Sequence, residues 1–83
     1  MKEKITSIIN TNLENRFQIL VEDTSQKHAG HGHSFQKESH FEVLIFAENL
    51  PILEKISIQK KLTQALSHLY AKNLVHSISI TFQ

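Results

Sequence analysis

Residues 28 to 33 read His28-Ala29-Gly30-His31-Gly32-His33, and a fourth histidine, His40, follows seven residues later. Two more, His68 and His76, stand further along the chain. Neutral imidazole is the commonest protein metal ligand, and histidine is the side chain whose ordinary charge change falls near pH 7. A glycine-punctuated run of three such rings is therefore a candidate for metal coordination. His-x-x-His-x-His also takes up zinc, nickel or copper adventitiously, and a solvated polar loop accounts for the same residues with no chemistry at all. There is no cysteine, which removes disulfides, thiolate catalysis and a self-contained iron–sulfur or cysteine-type zinc site. Glu22, Glu38 and Glu42 form no spaced carboxylate pair with a nucleophile, so an enzyme is not expected.

The elements that must hold these rings can be read from periodicity. Ile5, Ile8, Ile9 and Leu13 recur at helical spacing, which predicts an amphipathic helix over about residues 2 to 14. Phe17, Ile19 and Val21 alternate and predict a strand over 17 to 22. From Asp23 to Ser39 the chain is polar, carries both glycines and has no apolar period. This reads as a loop of about 15 residues, a length that is commonly functional. Phe41, Val43, Ile45 and Ala47 mark a second strand over 40 to 47. Glu48-Asn49-Leu50-Pro51 breaks it, and Pro51 suits the first turn of a short helix. Ile58, Leu62, Ala65, Leu66 and Leu69 predict a longer helix ending near Lys72-Asn73. Val75 to Phe82 alternates again, with Ile78, Ile80 and Phe82 on one face. The order α-β-β-α-α-β predicts an α+β domain, a three-stranded mixed sheet with helices on one face.

Two histidines have positions that matter in this frame. His76 is in phase with Ile78, Ile80 and Phe82, so its side chain is expected toward the core side at the start of the last strand. A hairpin makes the first two strands antiparallel. If the third runs parallel to the second through a right-handed helical crossover, His76 emerges at the end of the sheet that carries the His28–His33 loop. If it runs the other way, His76 lies far from that loop, and the pattern leaves both open. His40 is in phase with Glu42, points away from Phe41, Val43 and Ile45, and reads as structural, hydrogen-bonding to the loop, with a ligand role as the lesser alternative. His68 lies off the Leu62–Leu66–Leu69 stripe and reads as surface.

The chain of 83 residues, 40% hydrophobic and 20% charged, is expected to form one small domain over 1–83. A chain of this size buries only about 60% of the surface its unfolded form exposes, enough for one thin core. Net charge is +1 with the histidines neutral, too little to argue for nucleic acid or an anionic membrane on electrostatics alone. Lys55, Lys60, Lys61 and Lys72 come nearest to a basic stripe, and a solvated helix face explains them equally well. Residues 1 to 15 carry Lys2, Glu3, Lys4 and Glu14 with no long apolar run. Neither a signal peptide nor a membrane anchor is expected, and a soluble, cytoplasmic protein is.

An ordered set of short motifs adds a resemblance. Asp23-Thr24-Ser25 closes a strand, a His-Ala-Gly-His run follows, Glu38-Ser39-His40-Phe41 opens the next strand, and Val75-His76-Ser77-Ile78 opens the last. In this order and spacing the chain resembles the BolA family over nearly its whole length. The resemblance implies a fold related to the type II KH domain without that domain's Gly-x-x-Gly nucleic-acid loop, and no Gly-x-x-Gly occurs here. It also implies a non-enzymatic adaptor that shares a [2Fe–2S] cluster with a monothiol glutaredoxin, in iron–sulfur trafficking or iron sensing. In that picture the partner supplies its cysteine and a glutathione thiolate. By position, the ligands from this chain would be His76 and His28, with His31 and His33 as substitutes on the same loop. Such iron would carry imidazole in place of thiolate, as Rieske iron does.

Family members have also been described as transcriptional regulators, which makes a nucleic-acid-binding protein using the Lys55–Lys61 helix the alternative. Many members carry an Arg-His-Arg triplet in that helix, where this chain reads Ile58-Gln59-Lys60-Lys61. A third reading is a small metal-buffering chain that uses its histidine loop.

Overall fold

The computed structural model describes residues 1–24 and 40–83. Its elements are α1 (Lys2–Asn12), β1 (Gln18–Asp23), β2 (His40–Phe46), α2 (Ile52–Ala71) and β3 (Ser77–Phe82). The architecture is α+β, a three-stranded mixed sheet in the order β1-β2-β3 with both helices packed on one face.

Helix ends in this chain are set by local chemistry. Leu13 is the C-cap of α1, and Glu14 and Asn15 follow at φ 56° and 57°. The Asn15 N–H donates to the Asn10 carbonyl at 2.9 Å and the Glu14 N–H to that of Thr11 at 3.3 Å. The end of α2 repeats the pattern around Asn73 at φ 59°. There the Leu74 N–H donates to the Leu69 carbonyl at 2.9 Å and the Asn73 N–H to that of Tyr70 at 3.0 Å. These paired bonds form the Schellman arrangement, which satisfies carbonyls that the helix leaves over. Asparagine tolerates the left-handed conformation better than most residues with a Cβ. The stop at Asn73 lets residues 72–76 carry the chain directly from α2 into β3.

The stretch after Pro51 is continuous with the longer helix. Ile52–Ala71 is one helix of 20 residues, and Pro51 caps it at φ −62° and ψ 149°. No glycine or proline occurs from Ile52 to Ala71, so nothing interrupts the hydrogen-bond ladder once it has started. The two helical segments expected from the sequence are therefore a single element. Its first turn overhangs the core, leaving Ile52 67% and Leu53 75% exposed.

β2 is the central strand. β1 pairs with it antiparallel, setting Val21 opposite Val43 and Asp23 opposite Phe41. β3 pairs with its other side in parallel, setting His40 opposite Ser77 and Val43 opposite Ile80. The direction of the last strand, open from the pattern alone, is thus parallel to β2. Ile5, Ile9 and Leu13 of α1 meet Ile58, Leu62, Leu66 and Leu69 of α2 over the inward face of the sheet. Val21, Phe41, Val43 and Ile45 supply that face, and Ile78, Ile80 and Phe82 pack half-buried at its β3 edge. Full burial of a side chain such as Leu62 or Val43 contributes about 1.5–3 kcal/mol. The outward face carries polar residues together with exposed Leu20 and Phe46.

Candidate functional site

One end of the sheet gathers the chemistry. β1 ends at Asp23, β2 begins at His40, and parallel pairing starts β3 beside it at Ser77. The described ends of segment 25–39 therefore sit at the same end of the sheet as His76. Thr24, 6% exposed, fastens them together. Its N–H donates to the His40 carbonyl at 2.8 Å and its hydroxyl to the same oxygen at 3.1 Å. A buried hydroxyl with a partner avoids the desolvation cost it would otherwise carry.

His76 is exposed and stands one residue ahead of β3. The expected core-side placement does not occur. Val75 is the residue that turns inward, 5% exposed, and its N–H points back to the Leu69 carbonyl at 3.4 Å. With Val75 anchored to the end of α2, the alternation of β3 begins only at Ser77, and the His76 ring is left outside. That ring lies against His40, with centroids 5.0 Å apart and planes at 63°, an edge-to-face contact.

His40 is half-buried. Its Nδ1 and the Ser77 Oγ lie 2.9 Å apart in a hydrogen bond across the parallel ladder. The start of β3 is held from its other side by Tyr70, whose hydroxyl accepts from the Ile78 N–H at 2.8 Å. Three side chains, Thr24 just past β1, Ser77 of β3 and Tyr70 of α2, thus brace the backbone around the two rings.

His40 is thus hydrogen-bonded within the fold, in keeping with a structural role, and it also stands beside His76. Alternation correctly turns His40 away from Phe41. Only the register of β2 against β3, between residues far apart in sequence, brings it to Ser77 and His76. His28, His31 and His33 lie outside the described residues. His68 is exposed in the last turn of α2, as expected. Among the described residues, no group of three or more histidine, aspartate or glutamate side chains is placed to hold a metal ion.

The Lys55 ammonium lies 5.9 Å from the centre of the Phe82 ring, while Lys60 and Lys61 are exposed along α2. Glu22 stands opposite Glu42 in the β1–β2 ladder, both exposed. That puts paired carboxylates next to the outward apolar residues of the sheet. Among the described residues no helix is long and apolar enough to cross a membrane.

A family model described as BolA-like protein matches residues 9–83. The chain belongs to the BolA family. No curated protein and no solved structure matches it. The match runs from Ile9, near the end of α1, to the last residue. It includes both sides of segment 25–39 and the whole α2–β3 unit that carries His76. In this BolA-family chain the motifs Asp23-Thr24 and His40-Phe41 flank the segment, and Thr24 bonded to His40 is the physical link between them.

Proposed function

We propose that this BolA-family chain is a non-enzymatic adaptor that shares a [2Fe–2S] cluster with a monothiol glutaredoxin. The cluster is cargo, passed on or sensed in iron–sulfur trafficking or iron homeostasis. The observation that carries the reading is His76, an exposed imidazole at the end of the sheet where segment 25–39 begins and ends. A surface ring at a braced strand start suits coordination in a partner-facing site, because the ligand can be reached without opening the core.

The donor chemistry fits. Cluster iron accepts imidazole nitrogen in place of thiolate. His76 would be one ligand and His28 the second, with His31 and His33 able to take its place on the same segment. The glutaredoxin would supply its cysteine and a bound glutathione, making four ligands in all. The Val75 N–H bonded to the Leu69 carbonyl and the pairing of Ser77 with His40 hold the backbone on either side of His76, leaving association to the surface around it.

The alternative, a nucleic-acid-binding regulator using the Lys55–Lys61 helix, has less support. Lys55 is turned over Phe82, net charge is +1, and the outward sheet face carries Glu22 and Glu42.

Reconstitution tests the adaptor reading. The chain alone, given iron and sulfide, should hold no stable [2Fe–2S] cluster, since two imidazoles fall short of the four ligands such a cluster takes. With glutathione and a monothiol glutaredoxin present, a mixed complex with visible cluster absorption should elute as one species. A stoichiometric cluster on the chain alone contradicts the adaptor reading.

A further inference from the structure

β3 is the open edge of the sheet on the side away from β1. Backbone groups of a parallel strand turn alternately toward the neighbouring strand and away from it. Gln83 turns toward β2, its N–H donating to the Ile45 carbonyl and its carbonyl accepting from the Ala47 N–H. Ile78, Ile80 and Phe82 are in the opposite phase. Tyr70 meets the Ile78 N–H. The N–H and C=O groups of Ile80 and Phe82 face off the edge, and no other described residue bonds to them. We propose that this edge pairs antiparallel with β3 of a second copy of the chain, Thr81 lying on the two-fold axis. The pairing is independent of the adaptor reading, since it uses neither His76 nor segment 25–39.

The first argument is what the edge lacks. Edge strands of monomers commonly carry charges, proline or a bulge that discourages pairing. β1 holds Glu22 and Asp23, whereas Ser77–Phe82 contains no charged residue, proline or glycine. The flank of α2 beside this edge is uncharged as well. At about 3.6 residues per turn, Ile52, Ile56, Gln59, Thr63 and Tyr70 fall on one side of the helix. The Tyr70 bond to Ile78 turns that side to the edge. Ile52 is 67%, Ile56 47% and Tyr70 39% exposed.

Self-complementarity is the second argument, and it selects the occupant. An uncharged strip meets a copy of itself without like-charge repulsion, whereas it offers nothing to neutralise an acidic or basic peptide. Lys55 borders the strip, its ammonium engaged 5.9 Å from the centre of the Phe82 ring. Ile78, Ile80 and Phe82 are half-buried at the open side of the core, and a second β3 brings the same apolar alternation to cover them. A two-fold axis normal to the sheet keeps the helices of both copies on one face, so that apolar residues meet apolar ones.

Tyr70 sets the register. Placing Ile80 opposite Ile80 of the second copy would call on the Ile78 N–H, which Tyr70 holds. Placing Ile80 opposite Phe82 of the second copy uses only free groups and exchanges two N–H···O bonds at each such pair. Thr81 then faces Thr81 of the second copy as a non-hydrogen-bonded pair on the exposed face of the sheet. Cα atoms of such a pair lie about 4.5 Å apart.

The test is sedimentation equilibrium of the full chain from about 1 μM to 1 mM, paired with amide hydrogen exchange. A chelator is present throughout, so that metal bridging between histidines plays no part. The wild type should pass from monomer to dimer, and exchange at Ile80 and Phe82 should slow as the dimer forms. Thr81→Lys and Thr81→Glu should each stay monomeric with a native circular dichroism spectrum. Their mixture should restore the dimer, because opposite charges then pair across the axis. Gln18→Lys, on the far strand, should dimerise as the wild type does. A wild-type chain that stays monomeric throughout, a dimer with unchanged exchange at Ile80 and Phe82, or a Thr81→Lys chain that associates like the wild type would overturn the proposal. Exchange in the wild type decides the matter even if a Thr81 variant fails to fold.

Discussion

Thr24 and His40 meet twice across the base of segment 25–39, the Thr24 N–H donating to the His40 carbonyl at 2.8 Å and its hydroxyl to the same oxygen at 3.1 Å. The contact extends the β1–β2 ladder by one step and places the start of β2 where the His40 ring can meet Ser77 and His76. A long polar insertion between paired strands costs loop-closure entropy. Bonds at its base keep that cost from loosening the strands beneath.

Thr24→Val keeps the shape of the side chain and removes only the hydroxyl bond. The folded state should lose about 1 kcal/mol, the usual net worth of such a bond, seen as a lower urea midpoint at unchanged slope. The amide of Thr24, which keeps its own bond to His40, should remain protected from hydrogen exchange. Loss of that protection would mean the hydroxyl, and not the backbone, holds the strands closed.

Tyr70→Phe removes the acceptor for the Ile78 N–H. β3 is an edge strand, and this amide then turns to water. Exchange at Ile78 should quicken while Val43 and Ile45 in the central strand stay protected, and stability should fall by about 1 kcal/mol. Unchanged exchange at Ile78 would show that Tyr70 does not brace the start of β3.

The sheet and its core were largely legible in the sequence, because burial leaves a period. Ile19 and Val21, then Phe41, Val43 and Ile45, alternate as a one-sided sheet requires, and Leu62, Leu66 and Leu69 follow the helical stripe. Three features were not legible, each for a physical reason. The direction of β3 is set by the crossover through α2, which the alternation of Ile78, Ile80 and Phe82 does not encode. The joining of the two expected helical segments follows from the absence of a breaker, while exposed Ile52 and Leu53 weaken the apolar period that would have signalled it. The contact of His40 with His76 depends on register across a parallel pair, and Val75, by turning inward, shifts His76 out of the phase its neighbours suggest. The family position of His28 and the spacing of His31 and His33 lie outside the described residues.

DNA binding, where it occurs, should be weak and steeply salt-dependent, since displacing counterions from phosphates needs several cations on one surface. Gel-shift titrations at two salt concentrations measure this directly. Sequence-selective, nanomolar binding at physiological salt would favour the regulator reading over the adaptor.

In the proposed adaptor His76 is a ligand the chain presents to a shared cluster, and visible circular dichroism of the complex with a monothiol glutaredoxin reads that ligand out. Adding the wild-type chain should change the cluster's absorption and dichroism, because imidazole replaces thiolate on iron. His28→Ala should weaken that change, with His31 and His33 able to substitute. His76→Ala should abolish it while the two proteins still associate and the amide spectrum of the variant stays native, as expected for an exposed residue outside the core. A His76→Ala complex whose cluster spectrum matches that of the wild type would rule out His76 as a cluster ligand.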